Sequence, residues 1–294
     1  MKTAKLGRTK TRRKASPMLR WLRFSLYLQS LISSRWAGRR LYHLWFTSPK
    51  HPEPQRERQW RQSAEFIAIP HKYGPIATYQ WGNSDKTILL LHGWSGRGPQ
   101  MGSFVAPLLE RGFQLVAFDA PGHGRTPGTS SSIFRMSEAM QAVLAQTGPV
   151  QAVITHSFGA MLLAYALKHT SFTTDKAVCI SSPTTPLFLV DRFCDVMQAN
   201  HNVKQQFMRR TEQTYGQDIW DKLSADKNVQ AIKIPALIIH DQNDHDVPWQ
   251  LGKQLADAWP DSQLHLTTGL GHRRILRNKD VINWAVDFIN TTTK

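Results

Sequence analysis

Short, almost continuously apolar runs recur along this chain: TILLL at 87–91, LVAF at 115–118, AVIT at 152–155, KAVCIS at 176–181 and ALIIH at 236–240. A strand with one wet face alternates apolar and polar residues, so unbroken runs mark strands buried on both faces. Between them the period changes to that of a helix. Met101, Phe104, Val105, Leu108 and Leu109 fall at i, i+3, i+4, i+7 and i+8. Pro99 suits the first turn of that helix and Gly112 its end. Met136, Met140, Val143 and Leu144 mark a second helix that stops at Gly148, and 158–167, 249–259 and 280–289 read as three more. Residues 65–70 and 75–82 read as a hairpin, and 263–267 as a final strand. Strands alternating with helices imply an α/β fold, a mostly parallel central sheet with helices on both faces. Such sheets carry their sites at the carboxyl ends of the strands.

Residues 184–232 interrupt the alternation. About fifty residues separate two strands there, more than a crossover helix needs. The segment holds Phe188, Phe193, Met197, Phe207, Met208, Tyr215 and Trp220, and reads as a small helical lid insertion. Its composition favours an apolar acyl chain as ligand, although a packed helical lid has the same composition.

Charge divides the chain in two. Residues 1–62 carry 16 Lys/Arg and 2 acids, whereas the remaining residues carry 21 bases and 19 acids. Of the net charge of +16, +14 therefore belongs to the amino-terminal segment, and residues 63–294 form a nearly neutral body. Within 17–47, Leu19, Trp21, Leu22, Phe24, Leu28, Leu31, Ile32 and Trp36 recur at roughly helical spacing among Arg20, Arg23 and Arg35. The longest uncharged run, 24–34, has 11 residues, against the about 20 of a membrane-spanning helix. No clean small-x-small cleavage site follows it. Two readings stay open: a basic amphipathic helix on an anionic membrane surface, or a helix packed on the body with its arginines reaching water. The first places the protein in the cytoplasm, peripheral to the inner membrane. Residues 48–62 read as a linker. Arginines alternating with bulky apolar residues suit neither a phosphate groove nor a nucleic-acid partner. Two cysteines, Cys179 and Cys194, are too few for a disulfide framework or a cysteine-based zinc site.

The chemistry concentrates at AVITHSFGA, 152–160, where a buried strand runs into an apolar helix with no loop between. Ser157 occupies the junction, so its hydroxyl projects from the top of the sheet at a helix N-terminus that favours developing negative charge. An ordinary helix cap uses the same residue type. Close strand–helix approach calls for small neighbours two positions away. Gly159 meets that need, and Thr155 stands where glycine is usual. A serine also needs a base, held in turn by a carboxylate. HDQNDHDVP, 240–248, and GLGH, 269–272, both follow strands and supply Asp241, Asp244, Asp246 and His272. Two N–H groups could receive an oxyanion. One belongs to Phe158 and the other to Trp94, in the HGWSGRG loop after the 87–91 strand.

With LLLHGW (89–94), FDAPGHGRT (118–126), THSFGA (155–160), HDQNDHDVP (240–248) and GLGHRR (269–274), the chain resembles the α/β-hydrolase fold serine hydrolases of the carboxylesterase and lipase superfamily. The resemblance covers 65–290. It implies Ser157 as nucleophile, His272 as base, Asp244, three residues before a Val-Pro, as acid, and Trp94 and Phe158 as oxyanion donors. Asp241 then lies too early to reach His272, and Asp246 falls where it would cap the following helix. The implied activity is cleavage of a small-molecule carboxylic ester or thioester through an acyl-enzyme, with no cofactor and no metal. Acyl transfer, C–C hydrolysis and cofactor-free haloperoxidase chemistry use similar triads, and a non-catalytic membrane-associated binding protein is a further alternative.

Two other readings fit less well. Gly96 and Gly98 before a helix, with Asp119 after the next strand, imitate a dinucleotide site, but Met101 takes the third glycine's place. Asp241, Asp244, His245 and Asp246 could hold a cation, but no histidine pair at helical spacing accompanies them.

Overall fold

The computed structural model describes residues 16–291. Eight strands form one sheet: β1 (Glu65–Ile69), β2 (Ile76–Trp81), β3 (Thr87–Leu91), β4 (Gln114–Phe118), β5 (Ala152–His156), β6 (Lys176–Ile180), β7 (Ala236–Asp241) and β8 (Ser262–Thr267). Their order across the sheet is β1-β2-β4-β3-β5-β6-β7-β8. The β1–β2 and β2–β4 pairs are antiparallel and the other five pairs parallel. Every residue of β3, β4, β5, β6 and β7 is buried, in keeping with the apolar run at the centre of each strand; the polar residues stand at or near the strand ends.

Alternation along each strand feeds two cores. Leu89, Val116 and Val153 face one side, where α5 (Ile133–Thr147), α6 (Phe158–His169) and α11 (Trp249–Ala258) supply Met140, Leu163 and Leu255. Ile88, Leu90 and Ile154 face the other, where they meet Phe104, Val281 and Ile289. Phe104 closes a 3-10 turn, Gly98–Phe104, that leads into the short helix α4 (Val105–Leu109). Val281 and Ile289 belong to α13 (Lys279–Asn290). The single helix expected over 101–109 is thus split. Trp60 lies against Gly102 so closely that a Cβ there would meet the indole at 2.1 Å.

The amino-terminal segment forms α1 (Pro17–Ile32), α2 (Ser34–Trp45) and α3 (Gln55–Gln62). The 184–232 insertion forms α7 (Pro186–Met197), α8 (His201–Tyr215), α9 (Ile219–Lys222) and α10 (Ala225–Val229). The two segments share one core: Leu26, Ala37, Leu41 and Tyr42 pack with Val190, Cys194, Met197, Val203 and Phe207. Phe193, Met197, Phe207, Met208, Tyr215 and Trp220 of the insertion are engaged in this packing, so they give no support to an apolar acyl chain.

Residues 48–62 are not the linker that their proline and charge content suggests. Ser131 N–H donates to Phe46 O at 2.8 Å, Ser48 N–H donates to Thr129 O at 2.9 Å, and α3 buries Glu57. The opposite face of α1 stays exposed: Met18, Trp21, Phe24, Leu31 and Ile32 are each at least 60% accessible. Among the described residues no helix is long and apolar enough to cross a membrane.

Candidate active site

Ser157 sits between β5 and α6 with φ +53° and ψ −121°, a backbone conformation that few non-glycine residues adopt. The fold holds it there by pairing its N–H with Ile180 O at 2.9 Å and its carbonyl with Ala160 N–H at 3.0 Å. At Gly159 a Cβ would meet Leu91 O at 2.8 Å, so only glycine permits this approach of α6 to the end of β3. Thr155 is compatible with the turn: it is fully buried and donates its hydroxyl to Val178 O at 3.3 Å.

His272 lies in α12 (Gly271–Arg274), just after β8, and its Nδ1 is 2.7 Å from Asp244 Oδ2. Asp244, on the loop after β7, is buried. Its Oδ1 accepts from the N–H groups of Asp246 and Val247 at 2.8 and 2.9 Å, and Oδ2 faces His240 Nε2 at 3.5 Å. Burial alone would raise the carboxyl's pKa, but the interactions with His240 and His272 prevail and hold it well below the usual carboxylate range. Of the three acids on this loop, Asp244 is the one paired with His272. Asp246 does not cap α11: the cap position is Pro248, with no side-chain hydrogen bond, and Asp246 faces Arg192 at 3.8 Å.

Two further residues organise the site: Asp241, weighed from the sequence only as an acid lying too early to reach His272, and His156, for which sequence reasoning found no role. Asp241 accepts from Asn243 N–H, Gly271 N–H, Leu270 N–H and Thr267 Oγ1, all within 3.0 Å. It therefore ties the loop after β7 to the turn that presents His272. Buried His156 donates its Nε2–H to the backbone carbonyl of His272 at 2.8 Å, with the two rings 4.8 Å apart. Burial, then the neighbouring His272, push its pKa down to about 3, so it is neutral at physiological pH. The only signal for either was position, Asp241 at a strand end and His156 immediately before the serine.

Ser157 and His272 line a cavity of about 220 Å³ with Trp94, His156, Gln100, Leu276 and residues of the amino-terminal segment. No hydrogen bond joins Ser157 Oγ to His272 in this structure; such bonds are often long before substrate enters. Leu91 lies opposite Thr155 in the β3–β5 pair, which brings the loop bearing Trp94 beside the serine. The Trp94 and Phe158 rings meet edge to face at 5.5 Å. A wider concavity of about 470 Å³ lies at the amino ends of β6, β7 and β8, near Lys176, Gln263 and Trp284, far along the strands from this rim.

Asp119 offers nothing to a ribose. Its carboxylate accepts from Gly98 N–H, Arg125 N–H and Tyr79 Oη at 2.7–2.8 Å.

Comparison with known proteins gives a consistent picture. The model of the family described as "Alpha/beta hydrolase family" matches residues 88–284. The lysophosphatidylserine lipase ABHD12 of Danio rerio is 26% identical over 231 residues, 70% of this chain and 59% of the relative. A non-heme haloperoxidase of Rhodococcus erythropolis is 24% identical over 250 residues, 69% of this chain and 91% of the relative. The chain thus spans about three-fifths of the Danio rerio protein's length. Among solved structures, the serine hydrolase CCSP0084 of Cycloclasticus zankles superposes with a TM-score of 0.59 at 18% identity, covering 77% of this chain and 97% of that one. At that identity the likeness bears on the fold.

Proposed function

The chain belongs to the alpha/beta hydrolase family, and from that premise we propose that it is a hydrolase that cleaves a carboxylic ester or thioester through an acyl-enzyme on Ser157. The observation that carries this reading is the pairing of buried Asp244 with His272, 2.7 Å apart, His272 standing on the wall of the cavity that also holds Ser157. In the proposed first half-reaction Ser157 Oγ attacks the carbonyl carbon while His272 Nε2 takes the hydroxyl proton. Asp244 accepts from His272 Nδ1–H, which fixes the tautomer and stabilises the imidazolium. The N–H groups of Trp94 and Phe158 receive the oxyanion. Collapse of the tetrahedral intermediate expels the alcohol or thiol, which takes the proton from His272. Water then repeats the sequence on the acyl group and frees the acid and Ser157.

Turnover of p-nitrophenyl esters of increasing chain length, beside an acyl thioester, tests the reading. Ser157→Ala should lose about 10⁴-fold or more in kcat on each substrate that the wild type cleaves. Retained turnover in that variant would refute it.

The exposed face of α1 supports a proposed location. Met18, Trp21, Phe24, Leu31 and Ile32 project outward from a segment that holds no acid before Glu53. An apolar face with this charge suits the surface of an anionic bilayer, where each basic side chain contributes on the order of 1 kcal/mol. We propose that α1 seats the enzyme peripherally on such a surface.

A further inference from the structure

The cavity at Ser157 is walled by four arginines from three parts of the chain: Arg56 of α3, Arg97 of the loop after β3, and Arg273 and Arg277 beside His272. Among the described residues, Glu57 is the one carboxylate that lines the cavity. It is shared by Arg97 at 3.4 Å and Arg56 at 3.9 Å. Arg97 is further spent on His51 O at 2.7 Å. Arg273 and Arg277 are different. Among the described residues neither makes a hydrogen bond or ion pair, and both are exposed at the cavity rim. Partial burial, then the like charges of Arg56 and Arg274, depress the pKa of Arg277 from its usual value. A guanidinium does not respond by losing its proton. Glu57 offsets only part of this charge, so the cavity lining keeps an excess of positive charge in the space a substrate must enter.

Folding has gathered like charges here at a cost, and a ligand of opposite charge removes that cost. A guanidinium offers paired donors that match a carboxylate or phosphate. We propose that this cavity selects anionic esters, molecules that carry a carboxylate or phosphate group beside the scissile carbonyl, and that Arg273 and Arg277 hold that group. The proposal rests on the hydrolase reading above and names the substrate class of the same site. It also replaces an apolar acyl ligand with a polar one, in keeping with an insertion whose Phe193, Phe207, Tyr215 and Trp220 pack in the core shared with α1 and α2.

Two measurements test it. The first needs no turnover: calorimetric titration of the full-length protein with phenyl phosphate, in parallel with the R273Q/R277Q double variant. Binding at least about tenfold weaker in the double variant is expected, because hydrogen bonds to charged groups are among the stronger ones. Equal affinity in the two proteins overturns the proposal. The second compares kcat/KM for two aryl esters of equal length, p-nitrophenyl butyrate and mono-p-nitrophenyl succinate. The succinate is expected to be preferred about tenfold or more at low salt, and the preference should fall at least about tenfold in the double variant. A p-nitrophenyl ester bearing a terminal phosphate in place of the carboxylate separates the two anion types. Equal kcat/KM for all three esters overturns the proposal while leaving the hydrolase reading intact. Absence of turnover on every ester, with no labelling of Ser157 by a fluorophosphonate, defeats the hydrolase reading, and the phenyl phosphate titration still decides the anion site.

Discussion

His156, immediately before the serine at the β5–α6 junction, donates its Nε2–H to the backbone carbonyl of His272 at 2.8 Å. The strand that presents the proposed nucleophile thus also fixes the residue that would deprotonate it. His156→Phe retains a ring of similar shape and removes the donor. A fall of about tenfold in kcat is expected, the equivalent of about 1.4 kcal/mol of lost positioning, with a smaller change in KM. Steady-state kinetics on a short ester measure it, and an unchanged kcat would show that the contact does not position His272.

Asp241 and Asp244 should separate in their phenotypes. Asp244→Asn keeps an oxygen for Asp246 and Val247 N–H but turns an amide toward His272, so kcat should fall about 10³–10⁴-fold, together with a loss of the stability that the depressed carboxyl contributes at neutral pH. Asp241→Asn places an amide among four donors and should destabilise the protein by about 1–3 kcal/mol. Thermal melts and kinetics on the same preparations distinguish the two. A larger kcat loss in Asp241→Asn than in Asp244→Asn would contradict the assignment.

Acid should unfold this protein from an unusually high pH. Burial first, opposed only in part by nearby hydrogen bonds, pushes His92 down to about 4 and His123 to about 3, and His156 likewise to about 3. Each folded pKa lies below the unfolded value of about 6.5, so the unfolded chain binds more protons as pH falls below that value. Stability then declines by on the order of 1 kcal/mol per pH unit for each histidine until the folded pKa is reached. The depressed carboxyl of Asp244 acts in the same direction, but only below about pH 4. Urea midpoints at pH 7.5 and 5.0 should differ clearly. Equal midpoints would mean that these histidines are not buried in neutral form.

The two faces of the amino-terminal helices should be separable by mutation. Leu41→Ala opens a cavity in the core shared with Val203 and Phe207 and should cost about 2–4 kcal/mol. Trp21→Ser with Ile32→Ser alters only the exposed face and should leave the melting temperature near wild type. That double variant should sediment less with anionic liposomes than the wild type, whose binding should weaken as salt rises. Equal sedimentation of the two would remove α1 from any membrane contact.

The sheet was legible because β3 to β7 are buried on both faces and each carries an apolar run with polar residues at or near its ends. The Ser157 junction was legible because a strand abutting a helix without a loop leaves the backbone no alternative. What escaped was whatever depends on contacts distant in sequence. His156 meets a carbonyl 116 residues away, and Asp241 gathers donors from a turn about thirty residues on. The helix α3 was hidden because its anchors are one indole and one buried carboxylate in a stretch rich in proline and charge. The role of residues 51–57 in the cavity wall was invisible for the same reason, and a segment read as a linker turns out to border the candidate site.

Intact-mass spectrometry after incubation with a fluorophosphonate addresses the central proposal most directly, because the reagent reports an activated serine whatever the natural substrate is. The account predicts one adduct per chain, mapped by peptide sequencing to Ser157, with none in Ser157→Ala and sharply slower labelling in Asp244→Asn. Failure of the folded wild-type protein to label, or an adduct that persists in Ser157→Ala, would contradict it.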